Sequence, residues 1–413
     1  MLLSQARTLD DIDEAVVLVR EALGLCTPGH SLRAACLVHL MFHLFSRYRQ
    51  LGKVEDLNEA ILLDRDVLAL RSQGHPGRSS SLNILAVHLS TRYKRLGGIE
   101  DINEAILLSR DALALRPPGD PYRSESLNNL AVDLSTRYKE LGKVEDLDEA
   151  ILLDKDALAL RPSGHPERSM SLNNLSVNLS TRYNQLGGVE DLNEAILLSR
   201  DALALRPPGH PNRSSSLNNL AVRLSARHKK LGGVDDLNAA ILLNRDVVAL
   251  HPPGHPDRSG SLNNLAVNLS ARYKQLGKVE DLDEAIQLDR DALALRTLGH
   301  PNRSESLTNL ASHLSTRYEQ LRGIEDLDEA VLLNRNAITL RPPGHLDRSE
   351  SLNNLAACLL NRYKQLGEVK DLNEAISLNQ DALVLRPPGH PDWSESLNNL
   401  ATNFYARYKL VRV

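Results

Sequence analysis

Between Glu125 and Gly142 the apolar residues Leu127, Leu130, Ala131, Leu134 and Tyr138 recur at intervals of three and four. That spacing places them on one face of a helix. Gly142 follows, a residue suited to the left-handed turn that ends a helix. A second apolar series, Leu147, Ala150, Ile151, Leu153, Ala157, Leu158 and Leu160, predicts another helix. Its first turn is acidic (Glu145, Asp146, Asp148, Glu149), which complements the positive end of the helix dipole. Arg161 and Pro162 close it, and Pro166 is placed for the first turn of the next helix. The unit reads helix, turn, helix, loop.

The same pattern returns every 45 residues. Tyr48, Tyr93, Tyr138, Tyr183, Tyr273, Tyr318, Tyr363 and Tyr408 keep this register, with His228 in the one gap and Arg before each. An acidic marker keeps it too, from Asp11, Asp56 and Asp101 to Asp371. Neither helix of a pair buries its stripe alone, so neighbouring copies must stack into a continuous core. The expectation is an all-α fold, a right-handed α-solenoid of stacked antiparallel helix pairs with a 45-residue repeat. Residues 1–32 read as an N-terminal half repeat, 33–392 as eight tandem repeats, and 393–413 as a C-terminal half repeat. By register, the chain opens inside the last turns of a first-type helix. Phe404, Tyr405, Leu410 and Val411 make no polar cap. These ends predict either a piece of a longer protein or an end that another chain covers, leaving self-association through uncapped ends open.

The repeat accounts for the composition. Of 413 residues, 42% are hydrophobic and only 3% aromatic, and eight of the ten Tyr fill one helical slot. So few aromatics argue against a base-stacking surface or a carbohydrate platform. The net charge of −4 is spread with both signs interleaved, which argues against nucleic acid as a partner. No apolar run approaches a membrane span, and the N-terminus has no signal-peptide pattern. Cys26, Cys36 and Cys358 are odd in number and widely spaced, and are read as separate buried thiols in a reducing, cytoplasmic setting. Leu62, Leu107, Leu152, Leu197, Leu242 and Leu332 lie opposite the Ala side of the second helix. They are expected to pack against the neighbouring repeat; the other reading is an outer ridge for a partner or a second copy.

Helical pairs with Leu and small residues in the first helix, Ala150 and Ala157 in the second, and Pro162 after it resemble tetratricopeptide repeats (TPR). The extra residues are absorbed by a longer first helix, central turn and loop. The run Gly-His-Pro-x-Arg-Ser-x-Ser-Leu-Asn-Asn-Leu-Ala is similar to the kinesin light chain branch, and closer still to fungal arrays often found beside a caspase-like CHAT domain. The resemblance implies a non-catalytic scaffold that binds a protein or peptide partner in a concave groove lined by the first helix of each pair. It also implies, as an alternative, a sensor array for such an effector domain. The aromatic of the family's second helix is replaced here by Asp64, Ser109, Asp154, Ser199, Asn244, Asp289, Asn334 or Asn379. The recurring Tyr is expected to take over that packing space.

No enzyme signature is present: Val follows each Gly-Lys pair, so there is no P-loop. His75, His165, His210, His255, His300, His345 and His390 recur once per repeat, and successive layers stand too far apart for them to share a metal. They read as turn residues, and no metal or cofactor is predicted. The arginines that recur in the loop (Arg78, Arg123, Arg168) and before each Tyr predict ion pairs between layers, with an anion-binding ladder as the alternative. In the groove, Asn83, Asn128, Asn173, Asn218, Asn263, Asn353 and Asn398 recur on the flank of the core face, with Lys94, Lys139, Lys274 and Lys364 on the same flank. The Asn amides suit either a bound peptide backbone or a ladder between repeats. Two variable slots are expected to be free of packing and to encode specificity. One runs His88, Asp133, Asn178, Arg223, Asn268, His313, Cys358, Asn403; the other Ser80, Glu125, Met170, Ser215, Gly260, Glu305, Glu350, Glu395.

Overall fold

The structure, a computed structural model, describes residues 2–411, with side chains from 11 to 410. It divides into two compact units, Met1–Pro207 and Pro208–Val413. The first holds α1 (Leu2–Leu25), α2 (Arg33–Leu51), α3 (Val54–Leu70), α4 (Arg78–Leu96), α5 (Ile99–Ala114), α6 (Arg123–Leu141), α7 (Val144–Ala159), α8 (Arg168–Leu186) and α9 (Val189–Ala204). The second holds α10 (Arg213–Leu231), α11 (Val234–Leu250), α12 (Arg258–Leu276), α13 (Val279–Leu295), α14 (Arg303–Leu321), α15 (Ile324–Thr339), α16 (Arg348–Leu366), α17 (Val369–Leu385) and α18 (Trp393–Val411). Among the described residues there is no strand. The fold is all-helical, and each helix packs on the next within its unit. First-type helices also approach one another directly, α4 with α6 and α6 with α8 in the first unit, α12 with α14 and α14 with α16 in the second. α1 runs unbroken, without the turn that the register places at Arg7, where later copies have Gly or Arg322 in that slot.

The core is built from the predicted stripes. Leu147 and Ile151 of α7 meet Leu175 and Leu179 of α8 and Ala195 of α9, with Tyr138 joining from α6. Tyr93 likewise packs among Ile102, Ile106, Leu130 and Leu134, so this slot contributes to the core between layers. Each first-type helix described to its end stops in the left-handed region, at Gly142 with φ 66°, for example, whose N–H returns to the Tyr138 carbonyl. Arg322 holds the same conformation at φ 60° and is the one non-glycine residue to do so among the described residues.

Two further expectations fail. Leu62, Leu107, Leu152, Leu197, Leu242 and Leu332 are 59–64% exposed, so they do not pack between repeats. Tight turns seat the helices through the Ala and Ile side, and the Leu side is left outward. The first two cysteines are not separate: Cys26 Sγ lies 3.9 Å from Cys36 Sγ, because the α1–α2 loop folds back on itself.

Candidate interaction surface

The predicted groove residues divide into three groups. Asn83 Nδ2 donates to Ser126 Oγ at 2.9 Å, and Asn128 to Ser171 Oγ at 3.2 Å. Asn263 donates to Ser306 Oγ at 3.2 Å and Asn353 to Ser396 Oγ at 3.1 Å. All four are buried, and each reaches the Ser that the next repeat supplies 43 residues on. These amides form a ladder between layers. Asn173 and Asn218 are half-buried, and Asn218 Oδ1 accepts from Asn264 at 2.8 Å. Asn398, Lys94, Lys139, Lys274 and Lys364 are exposed.

The slot that begins at His88 is not free of packing. Every member from His88 to Asn403 is buried. Several pair with the residue 24 positions earlier, in the slot that replaces the family's second-helix aromatic. His88 Nδ1 lies 2.6 Å from Asp64 Oδ2, and His313 Nδ1 2.6 Å from Asp289 Oδ2. Ser109 Oγ donates to Asp133 at 3.0 Å and Asn178 Nδ2 to Asp154 at 2.8 Å. Ser90 Oγ also donates to Asp133, at 2.5 Å. Burial pushes the Asp133 carboxyl up to about 6 and Asp154 up to about 7, and raises Asp64 and Asp289 as well. The two slots vary together in the sequence, and that covariation was the signal of contact. The other variable slot is on the surface: Glu125, Met170, Ser215, Glu305, Glu350 and Glu395 are exposed.

The remaining recurrent residues have structural duties. The ring Nδ1 of each turn His accepts the N–H two residues on, as His165 does from Glu167 at 3.2 Å. Loop arginines donate to carbonyls at the end of the preceding second-type helix, as Arg258 Nη1 does to the His251 carbonyl at 2.5 Å. The Arg before each Tyr grips the acidic marker of its own repeat with two parallel bonds: Arg137 Nε and Nη2 lie 2.7 Å from Asp146. A third bond, 3.1 Å to Asn103, ties it to the preceding layer. Exposed pairs such as Arg110–Glu149 (2.7 Å) add a second ladder outside.

One hollow of about 500 Å³ on the first unit breaks the polar regularity. Phe42, Ile84, Val87 and Tyr122 line it, with Glu125 and Asn129 at its edge. Three of these depart from the register. Phe42 stands where five later copies of the slot, from Val87 to Val267, carry Val, Ile84 where seven carry Asn, and Tyr122 where every later copy, from Glu167 to Asp392, carries a polar residue. Phe42 and Tyr122 are 62% and 61% exposed, an unusual use of scarce aromatics. Arg116 sits 5.5 Å from the Tyr122 ring centroid and holds the Tyr122 carbonyl at 2.8 Å, fixing that aromatic at the rim.

No family profile matches the sequence, and no curated protein is similar to it. Solved structures are similar in fold. The human IFIT1 dimer with m7Gppp-AAAA aligns over 95% of this chain and 76% of its own, at TM-score 0.53 and 14% identity. Repeat proteins align over shorter stretches. A putative kinesin light chain from Podosopora anserina with nearly identical TPR-like repeats covers 53% of this chain and 98% of its own, at 24% identity and TM-score 0.39. A tetratricopeptide repeat protein from Parabacteroides merdae covers 77% and 98%, at 13% identity and TM-score 0.47. The fold is TPR-like. At these identities the likeness concerns the fold alone, so the TPR-like helix pair describes the scaffold and leaves its ligand to be argued from the surface. No described helix is long and apolar enough to cross a membrane.

Proposed function

We propose that the chain is a protein-interaction scaffold whose first unit binds an extended peptide along the inner face, anchored by one large apolar side chain in the Phe42–Ile84–Tyr122 hollow. The observation that carries this reading is the coincidence in one hollow of three departures from the register, each to a larger apolar side chain. Aromatic anchors that fill or line a pocket supply most of the energy at such surfaces, while polar neighbours add complementarity. Rigid stacked helices lower the ordering cost of the site, because only the peptide has to be fixed. Asn129 and Glu125 at the edge are placed to meet the peptide's amides. Panning a random-peptide display library against the full chain tests the proposal. Sequences that share a Leu, Phe or Trp anchor should be enriched, and enrichment should vanish on the variant Phe42→Val, Ile84→Asn, Tyr122→Asn. Enrichment that survives those three changes contradicts it.

The exposed leucines favour a second reading, association of copies through the outer face. Leu107, Leu152 and Leu197 recur one repeat apart, each 59–64% exposed. A recurring row of exposed apolar side chains is a common mark of an interface. Light scattering over a concentration series tests it; a strictly monomeric chain excludes it.

A further inference from the structure

We infer that His251, His255 and Asp257 form a binding site for a borderline transition-metal dication, with Zn²⁺ as the representative ion. Position 251 belongs to a register that holds Arg in seven other copies: Arg71, Arg116, Arg161, Arg206, Arg296, Arg341 and Arg386. There the guanidinium is drawn into the turn, as where Arg296 donates to Ser306 Oγ at 2.8 Å and to the Asn302 carbonyl at 2.7 Å. His251 is shorter and keeps only the first of these contacts, with Nδ1 2.7 Å from Ser261 Oγ. The substitution adds an imidazole to a turn that already carries the register's own histidine. Both rings belong to one turn, unlike histidines that stand one repeat apart.

The geometry brings the three donor groups close together. The His251 and His255 rings lie 4.1 Å apart with 5° between their planes. One ligand atom from each of His251, His255 and Asp257 falls within 4.8 Å of the other two. His251 is buried, and its Ser261 bond engages one ring nitrogen, the outer-shell hydrogen bond that orients a ligating imidazole. Two imidazoles and a carboxylate, with a further position for water, suit zinc and its neighbours. Coordination draws His255 out of the stack, giving up its bond from the Asp257 N–H at 3.1 Å. Gly260, where other copies carry Ala, Ser, Glu or Met, lines an adjoining hollow of about 340 Å³ that gives an ion and its water a path in. Arg296 lines the same hollow, and its charge is met by Glu305 at 3.2 Å.

Calorimetric titration of the full chain with ZnCl₂, repeated with CoCl₂ under visible absorption, tests the site. The wild-type protein should bind one ion with the tetrahedral Co²⁺ bands. His251→Arg restores the residue of the other copies and so preserves folding; it should weaken binding by at least about tenfold. Asp257→Asn, matching Asn212 and Asn302 in the register, should weaken it too. Equal affinity in wild type and His251→Arg, or no binding by the wild type, overturns the assignment.

Discussion

Asn178 Nδ2 of α8 lies 2.8 Å from Asp154 Oδ2 of α7, both side chains are buried, and Asp154 Oδ1 has no partner. A carboxylate so placed costs stability when ionised, and burial lifts it from 3.8 to about 7. The raised value means that the folded protein holds the proton more tightly than the unfolded chain. The contribution is therefore fully present below about pH 4 and is lost as pH rises through about 7. Asp154→Asn keeps the hydrogen-bonding shape and should stabilise the protein at pH 8 by on the order of 2 kcal/mol. It should make no gain at pH 4. Urea unfolding at the two pH values checks this; an equal effect at both would contradict it.

Arg322 in a left-handed conformation should be a site of stored cost. Gly removes about 1 kcal/mol of backbone strain, offset in part by loss of the Arg322–Tyr318 ring contact at 5.6 Å. Arg322→Gly should raise stability by about 0.5 kcal/mol, read from the denaturation midpoint. A loss of stability would show that the ring contact dominates.

The two charge ladders should differ in worth. Arg137→Ala strips a nearly buried Asp146 of both bonds and should cost about 3 kcal/mol. Arg110→Ala breaks an exposed pair with Glu149 and should cost under about 1 kcal/mol. Thermal unfolding of the two variants compares them directly; similar losses would refute the distinction.

Much of the fold was legible because the 45-residue period repeats every constraint many times. From α2 onward, helix faces and glycine stops stand where the pattern places them, as at Leu147 and Gly142. The surface was less legible. A helical wheel assigns a flank, but whether Asn128 faces solvent depends on Ser171 in the next layer, and whether Asp133 is free depends on Ser109 and Ser90. The Leu152 side is hard to read for the same reason: apolar character alone does not tell a packed face from an outward one. Single departures such as Phe42, Tyr122 and His251 were visible as letters. Their shared positions appear only when successive layers are stacked.

Leu152 and Leu147 offer a matching contrast in one helix. Leu147→Ala opens the core and should cost about 3 kcal/mol, since Leu147 is wholly buried. Leu152→Ser, at a 64% exposed position, should change stability by less than about 0.5 kcal/mol while reducing any association of copies. Calorimetric melting measures the first effect and sedimentation the second.

The central claim is that the Phe42–Ile84–Tyr122 hollow anchors a peptide. Fluorescence anisotropy with a library-selected peptide, on wild type and on the Phe42→Val, Ile84→Asn, Tyr122→Asn variant, tests it most directly. The account predicts binding weakened by about tenfold or more with the melting temperature little changed. Unchanged affinity in a folded variant would contradict it.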